Sequence, residues 1–352
     1  MATSATIQGR LWGTILNMKK SAQWLDIAPG QPKFVTRWLP ESVPQANVVI
    51  IHGLGEHGGR YDTLAQHFVR AGFSVSAFDQ QGHGRSPESR GRIRSYNSLL
   101  DDIASFLKWN QAEHVGAPTV LFGHSMGGNL VINYTLRNLP QPERVISSSP
   151  MLEKATPVHP GFVRIARWLM RFAPHVKLHS DVVAERLMSD PVEQQMLRDD
   201  ELFHSQITLR LGAGLIDSGA WALKHAGRIQ TALLLSHGSS DYMTSFNASV
   251  EFARLAGEAC ELVTLDGELH DPFRSVQRDT IIARYIDFIR GAIHHHPSTG
   301  SDAPPSESGN ASPLWPDAPP SKSIVARPEQ PRSEMPQAEQ GEPVVRAQEL
   351  GP

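Results

Sequence analysis

Short apolar, β-branched runs recur along the first 290 residues with amphipathic stretches set between them, and this alternation limits the fold more than any other feature. The runs are Phe34–Trp38, Asn47–Ile51, Phe73–Phe78, Thr119–Phe122, Val145–Ser148, Ala232–Ser236 and Glu261–Leu265. Between several of them, YDTLAQHFVRA (Tyr61–Ala71) and LLDDIASFLKWN (Leu99–Asn110) carry the stripe of a helix with one face buried. Continuous apolar strands separated by helices predict a mostly parallel central sheet with helices on both faces, an α/β architecture.

The alternation lapses between Met151 and Arg228, where the pattern is largely helical, several prolines intervene and no strand is convincing. Its opening, PGFVRIARWLMRF, sets Phe162, Ile165, Leu169 and Phe172 on one face and Arg164, Arg167 and Arg171 on another. An insertion at about 151–228 between two strands reads as a helical cap above the strand ends; an ordinary excursion packed on the core is the alternative. Near residue 291 the composition turns rich in Pro, Ser, Glu and Gln. Residues 291–352 cannot bury enough apolar surface to offset their ordering entropy, so a disordered tail is expected after a domain of residues 1–290. The His294–His296 triplet within it reads as a solvated run.

The chain has 352 residues, of which 40% are hydrophobic, enough for a large core. A net charge of -3 lacks the basic footprint of a nucleic-acid binder. Cys260 is the only cysteine, which excludes an internal disulfide and a multi-cysteine metal site and fits a reducing compartment. Arg10 and Gly13 interrupt the N-terminal hydrophobicity that a secretory leader would need, and no apolar run approaches the roughly 18 residues of a membrane span. The expectation is a soluble, cytoplasmic protein, with peripheral membrane contact left open.

The stretch Thr119–Tyr134, TVLFGHSMGGNLVINY, joins a strand to a helix across Gly123-His124-Ser125-Met126-Gly127. This is the pattern G-x-S-x-G on a strand–turn–helix, which strains the serine backbone and lifts its hydroxyl above the sheet. Side chains at Gly123 and Gly127 would collide with the neighbouring strand and helix. The helix also aims its first N–H groups at the place where an oxyanion would form. A glycine-rich connection whose serine merely caps the helix is the competing reading.

A serine hydroxyl needs a base to attack, and the base needs an orienting acid. On this kind of sheet the chain order is Ser, Asp or Glu, His. After the strand TALLLSHG comes SSDY, which puts Asp241 just past a strand end; after ELVTL comes DGELHDPF, which puts His270 in the loop after the final strand. Asp266, Glu268 and Asp271 share that loop and read equally well as solvated turn residues, and sixteen histidines make any one of them uninformative alone. The loop HGLGEHGGRY after Val48–Ile51 is small enough for its backbone to approach a reacting carbon, so the main-chain N–H groups of Leu54 and Met126 are the candidate oxyanion donors. His52 and His57 there, and His83 in DQQGHGRS, read as loop-shaping residues.

With HGLGEHGGRY, FDQQGHGRS, GHSMGG and GSSD in this order over about residues 28 to 290, the sequence resembles the monoacylglycerol lipase (lysophospholipase-like) branch of the α/β-hydrolases. The resemblance implies Ser125 as nucleophile, His270 as general base and acid, Asp241 as orienting carboxylate, and a cap over an acyl tunnel. It implies a lipid ester substrate and no cofactor, metal, nucleic acid or protein partner. Other readings stay open: a carboxylesterase for short soluble esters, an acyltransferase or peptidase of the same fold, or a hydrolase-fold binder without catalysis.

Overall fold

The computed structural model describes residues 18–27, 30, 32–137, 139–180 and 182–295. Chain order begins with an antiparallel hairpin, β1 (Lys19–Asp26) and β2 (Pro32–Leu39), then β3 (Ala46–Ile51), α1 (Asp62–Arg70) and β4 (Phe73–Phe78). It continues through α2 (Tyr96–Glu113), β5 (Thr119–His124), α3 (Met126–Leu136) and β6 (Arg144–Ser148). The interval up to the next sheet strand holds α4 (Pro160–Leu169), β7 (Lys177–His179), α5 (Ala184–Leu187), α6 (Pro191–Arg198), β8 (Gln206–Thr208) and α7 (Leu209–His225). The chain then completes the sheet with β9 (Ala232–Gly238), α8 (Phe246–Ala256), β10 (Cys260–Leu265) and α9 (Arg278–His295).

Eight strands form one sheet in the order β1-β2-β4-β3-β5-β6-β9-β10. The first two pairings are antiparallel and the remainder parallel. The predicted α/β sheet is therefore present. Strands β3, β4 and β5 are buried along their whole length, because helices cover both faces. Val48, Ile50, Val120 and Phe122 pack with Leu64 and Phe68 of α1 and Tyr285 and Ile289 of α9. Their neighbours Val49 and Leu121 point the other way by the two-residue period of a strand. On that side α3 lies against β5 and β6 and is itself covered by α2 and α7, so all its residues are buried.

Three findings depart from the sequence reading. Strand β1 was not legible: nearly all its residues are exposed, so it carries no apolar run. Strands β7 and β8 pair antiparallel inside the interval read as helical; three residues each are too few for any periodicity to register. Helix α9 runs to His295, past the boundary at 291, with Ile289 and Ala292 buried in the core. The rest of the expected tail, and the N-terminal segment read for a leader, lie outside the described residues, as does the side chain of Phe162.

The entry of α3 is crowded. A Cβ on Gly127 would meet Ile51 O at 1.9 Å, and one on Gly123 would meet Gly127 O at 2.3 Å. Gly127→Ala is expected to destabilise the protein by about 3 kcal/mol or more in denaturant unfolding, as overpacking against main chain does. Gly212→Ala within α7, where the new methyl meets only the Ile207 side chain of β8 at 3.6 and 3.9 Å, is expected to stabilise it by about 0.5–1 kcal/mol.

Candidate active site

Strand β5 ends at His124 and α3 begins at Met126, which leaves Ser125 alone between them at φ 55, ψ -113. A non-glycine residue held there costs about 1–3 kcal/mol. The surroundings hold it: Ser125 N–H donates to Ser148 O at 2.9 Å, and Ser125 O accepts from Asn129 N at 3.0 Å and Met151 N at 3.0 Å. The main-chain N–H of Met126 opens the helix, where no earlier turn supplies an acceptor. The loop after β3 runs alongside, so close that a Cβ on Gly53 would lie 3.4 Å from Ser125 Cβ. Leu54 and Met126 line the same cavity as Ser125 and His270.

Ser125 Oγ lies 2.9 Å from His270 Nε2, and His270 Nδ1 lies 2.7 Å from Asp241 Oδ2. Three residues expected to meet from sites far apart in the chain are thus joined in one hydrogen-bonded line. Asp241 Oδ1 accepts from the N–H groups of Met243 at 2.6 Å and Thr244 at 3.1 Å. Its Oδ2 also accepts from the Thr244 hydroxyl at 2.8 Å and from His237 Nε2 at 3.0 Å. Burial by itself would raise the Asp241 carboxyl, but the facing His270 ring and the donors from His237 and His270 hold it well below the usual range. Burial disfavours a charged His270, and Asp241, backed by Asp271 and Glu56, outweighs it, so the imidazole titrates above its ordinary value.

A buried chain of charges ties the three loops together, and sequence reasoning missed it. Asp271 is not a solvated turn residue: its Oδ1 accepts from His124 Nε2 at 2.8 Å, and Arg274 Nη1 donates to its Oδ2 at 2.5 Å. Arg274 Nη1 also donates to Glu56 Oε1 at 2.7 Å, and Glu56 Oε2 accepts from Gly53 N at 3.1 Å and from Tyr61 Oη at 2.9 Å. Burial would neutralise Glu56 and Asp271; instead Arg274 and Arg60 for the first, and His124 and Arg274 for the second, keep both carboxyls low. The loop histidines are placed as read: His52 Nε2 accepts from Gln80 N, His57 Nδ1 accepts from Gly59 N, and His83 Nδ1 donates to Gln81 O.

Among the described residues, His124, His270 and Asp271 bring possible metal-ligand atoms within 4.8 Å of one another. Within that group His270 bonds to Asp241 and Ser125, and His124 Nε2 bonds to Asp271. In front of it a cavity of about 330 Å³ extends from Ser125 to aliphatic and aromatic walls that include Leu178, Leu187, Phe203, Ile207 and Leu215. Most of the lining is apolar, with Ser125, His270 and a few other polar side chains among it, as in a site that binds a largely apolar molecule.

A serine hydroxyl hydrogen-bonded to an imidazole is activated only while that imidazole is neutral, so fluorophosphonate modification of Ser125 is expected to fall away in acid. The second-order rate against pH should show an acid limb with its midpoint above 6.5. A midpoint at or below that value would contradict the arrangement of charges around His270.

Residues 42–276 match the profile of the serine aminopeptidase S33 family. The chain is 29% identical over 254 residues to a monoacylglycerol lipase of Mycolicibacterium smegmatis, covering 72% of this chain and 90% of that one. It is similar to the crystal structure of the Paleococcus ferrophilus monoacylglycerol lipase, with TM-score 0.67, 30% identity, and 74% of this chain and 99% of that chain covered. A soluble variant of the Saccharomyces cerevisiae monoglyceride lipase shares the fold at TM-score 0.70 and 21% identity, covering 82% of this chain and 99% of that chain. With a family match across most of the folded domain, this chain belongs to the serine aminopeptidase S33 family of α/β-hydrolases.

Proposed function

We propose that the chain is a serine carboxylic ester hydrolase that cleaves monoacylglycerols to fatty acid and glycerol through an acyl-enzyme on Ser125. The observation that carries this reading is the line Asp241–His270–Ser125, whose Ser125 and His270 line a mostly apolar cavity of about 330 Å³. An acyl chain lying along the walls would bring its ester carbonyl to Ser125 Oγ. As that oxygen bonds to the carbonyl carbon, its proton passes to His270 Nε2, and Asp241 stabilises the imidazolium that forms. The oxyanion is held by the N–H groups of Leu54 and Met126, each such donor typically contributing about 3–4 kcal/mol. Collapse breaks the bond to the alcohol oxygen, which leaves as glycerol with the proton from His270. Water, deprotonated by His270, then attacks the acyl-enzyme, and its collapse returns the proton to Ser125 and releases the acid.

The insertion between β6 and β9 acts as the cap in this reading, and it suits docking at a lipid surface. Ile165, Trp168, Leu169 and Phe172 are exposed rather than packed on the core, and Arg164 and Arg171 beside them are exposed as well. Apolar side chains flanked by arginines fit the boundary between acyl chains and phosphates. Among the described residues no helix is long and apolar enough to cross a membrane.

Two measurements test this. In a panel of monoacylglycerols, diacylglycerols, lysophospholipids and short esters, long-chain monoacylglycerols are expected to give the highest kcat/KM, and Ser125→Ala to abolish turnover. A preference for acetyl esters would make the enzyme a short-ester carboxylesterase instead. Trp168→Ser with Phe172→Ser is expected to weaken vesicle binding at least about tenfold while leaving hydrolysis of a water-soluble ester within about twofold. Unchanged vesicle binding would remove the docking role.

A further inference from the structure

The catalytic carboxylate has a second imidazole on it. His237 is the penultimate residue of β9, and its side chain points away from α9, where its neighbour Ser236 meets Tyr285, and toward α8. Its Nδ1 lies 2.7 Å from Ser249 Oγ of α8, and its Nε2 lies 3.0 Å from Asp241 Oδ2. An ionised carboxylate only accepts, so Nε2 carries the proton, and on the neutral ring Nδ1 accepts from the Ser249 hydroxyl. The line of the active site is therefore longer than three residues: Ser249, His237, Asp241, His270, Ser125. His237 is fully buried, and so is the Asp241 side chain, so water has no access to replace the donor.

We propose that His237, supported by Ser249, is a positioning residue that sets how strongly Asp241 acts on His270. Both imidazoles donate to the same oxygen, Asp241 Oδ2. Each donor draws negative charge from that oxygen, and what His237 and Thr244 take is no longer available to hold a proton on His270. The donation limits how far Asp241 raises His270, and it fixes the plane of the carboxylate. The other titratable and charged groups around His270 are Asp271 on its own loop, His124 at the end of β5 with ring centroids 4.9 Å apart, Glu56 after β3, and Arg274, which bridges Glu56 and Asp271. Facing His237, α8 presents Ser249 and the ring of Phe246, neither of which titrates in the working range.

This inference rests on the triad reading, and the test separates the two. The rate of fluorophosphonate labelling at Ser125 and kcat/KM for a soluble ester are measured across pH for the intact protein and for His237→Leu, His237→Gln and Ser249→Ala. In His237→Leu the acid limb is expected to move up by about one pH unit, with KM unchanged. Glutamine places an amide N–H near the position of Nε2, so His237→Gln is expected to bring the limb back to the native midpoint. Ser249→Ala is expected to move it the same way by a smaller amount, about 0.3 unit, because the ring loses the hydroxyl that polarises it. A uniform drop in rate with the limb unmoved in His237→Leu, or a His237→Gln limb that follows the leucine variant, overturns the proposal and leaves His237 a packing residue. If His237→Leu does not fold, the glutamine and Ser249→Ala profiles decide: a glutamine limb at the native midpoint with Ser249→Ala shifted up supports the proposal, and any other pair overturns it. Failure of the native protein to label at Ser125 would instead remove the triad reading itself.

Discussion

The geometry of this protein hangs on one close approach, the start of α3 pressed against the end of β3. Gly127 leaves no room for a single carbon between itself and Ile51 O. That approach forces the chain to turn from strand to helix within one residue, and the strained backbone of Ser125 follows from it. It also brings the loop after β3 beside Ser125, so that two main chains from different parts of the sequence border the same point in space. A side chain at either glycine would separate the layers and undo both results together.

What the glycines bring near, buried ions keep in register. Arg274 stands between Glu56 and Asp271, and through them it connects the loop bearing Leu54, the loop bearing His270 and the residue preceding Ser125. Each of these ions would be costly to bury alone, and together they are stable only because each finds its partners. The insertion shares in the arrangement: Asp271 N–H donates to Leu187 O of α5 at 2.8 Å, and His204 N–H donates to Gly55 O at 3.0 Å. The loops around Ser125 and His270 are thus fastened to one another and to the inserted segment.

The middle of the sheet was legible because β3, β4, β5, β6 and β9 are almost wholly buried and read as apolar runs, and the Ser125 turn was legible because glycine is the only residue its spacing tolerates. Asp241 and His270 could be found because each follows a strand at the same end of the sheet. The supporting residues left no such mark. Arg274 and Glu56 are 218 residues apart, and nothing local in either segment signals the other. His237 was hidden by its ordinary place at a strand end in a chain with sixteen histidines. The exposure of Ile165, Trp168 and Phe172 could not be read either, since an amphipathic helix shows which face is apolar but not what that face meets.

Strand β1 ends the sheet, and among the described residues its outer rim pairs with nothing. A free rim of N–H and C=O groups is a template on which a second chain could extend the ladder. Here the strand opens with Lys19 and Lys20 and closes with Asp26, all three exposed, and Lys20 is held beside Asp62 at 2.5 Å. A copy approaching this strand edge to edge would have to strip water from these charges before gaining its first hydrogen bond.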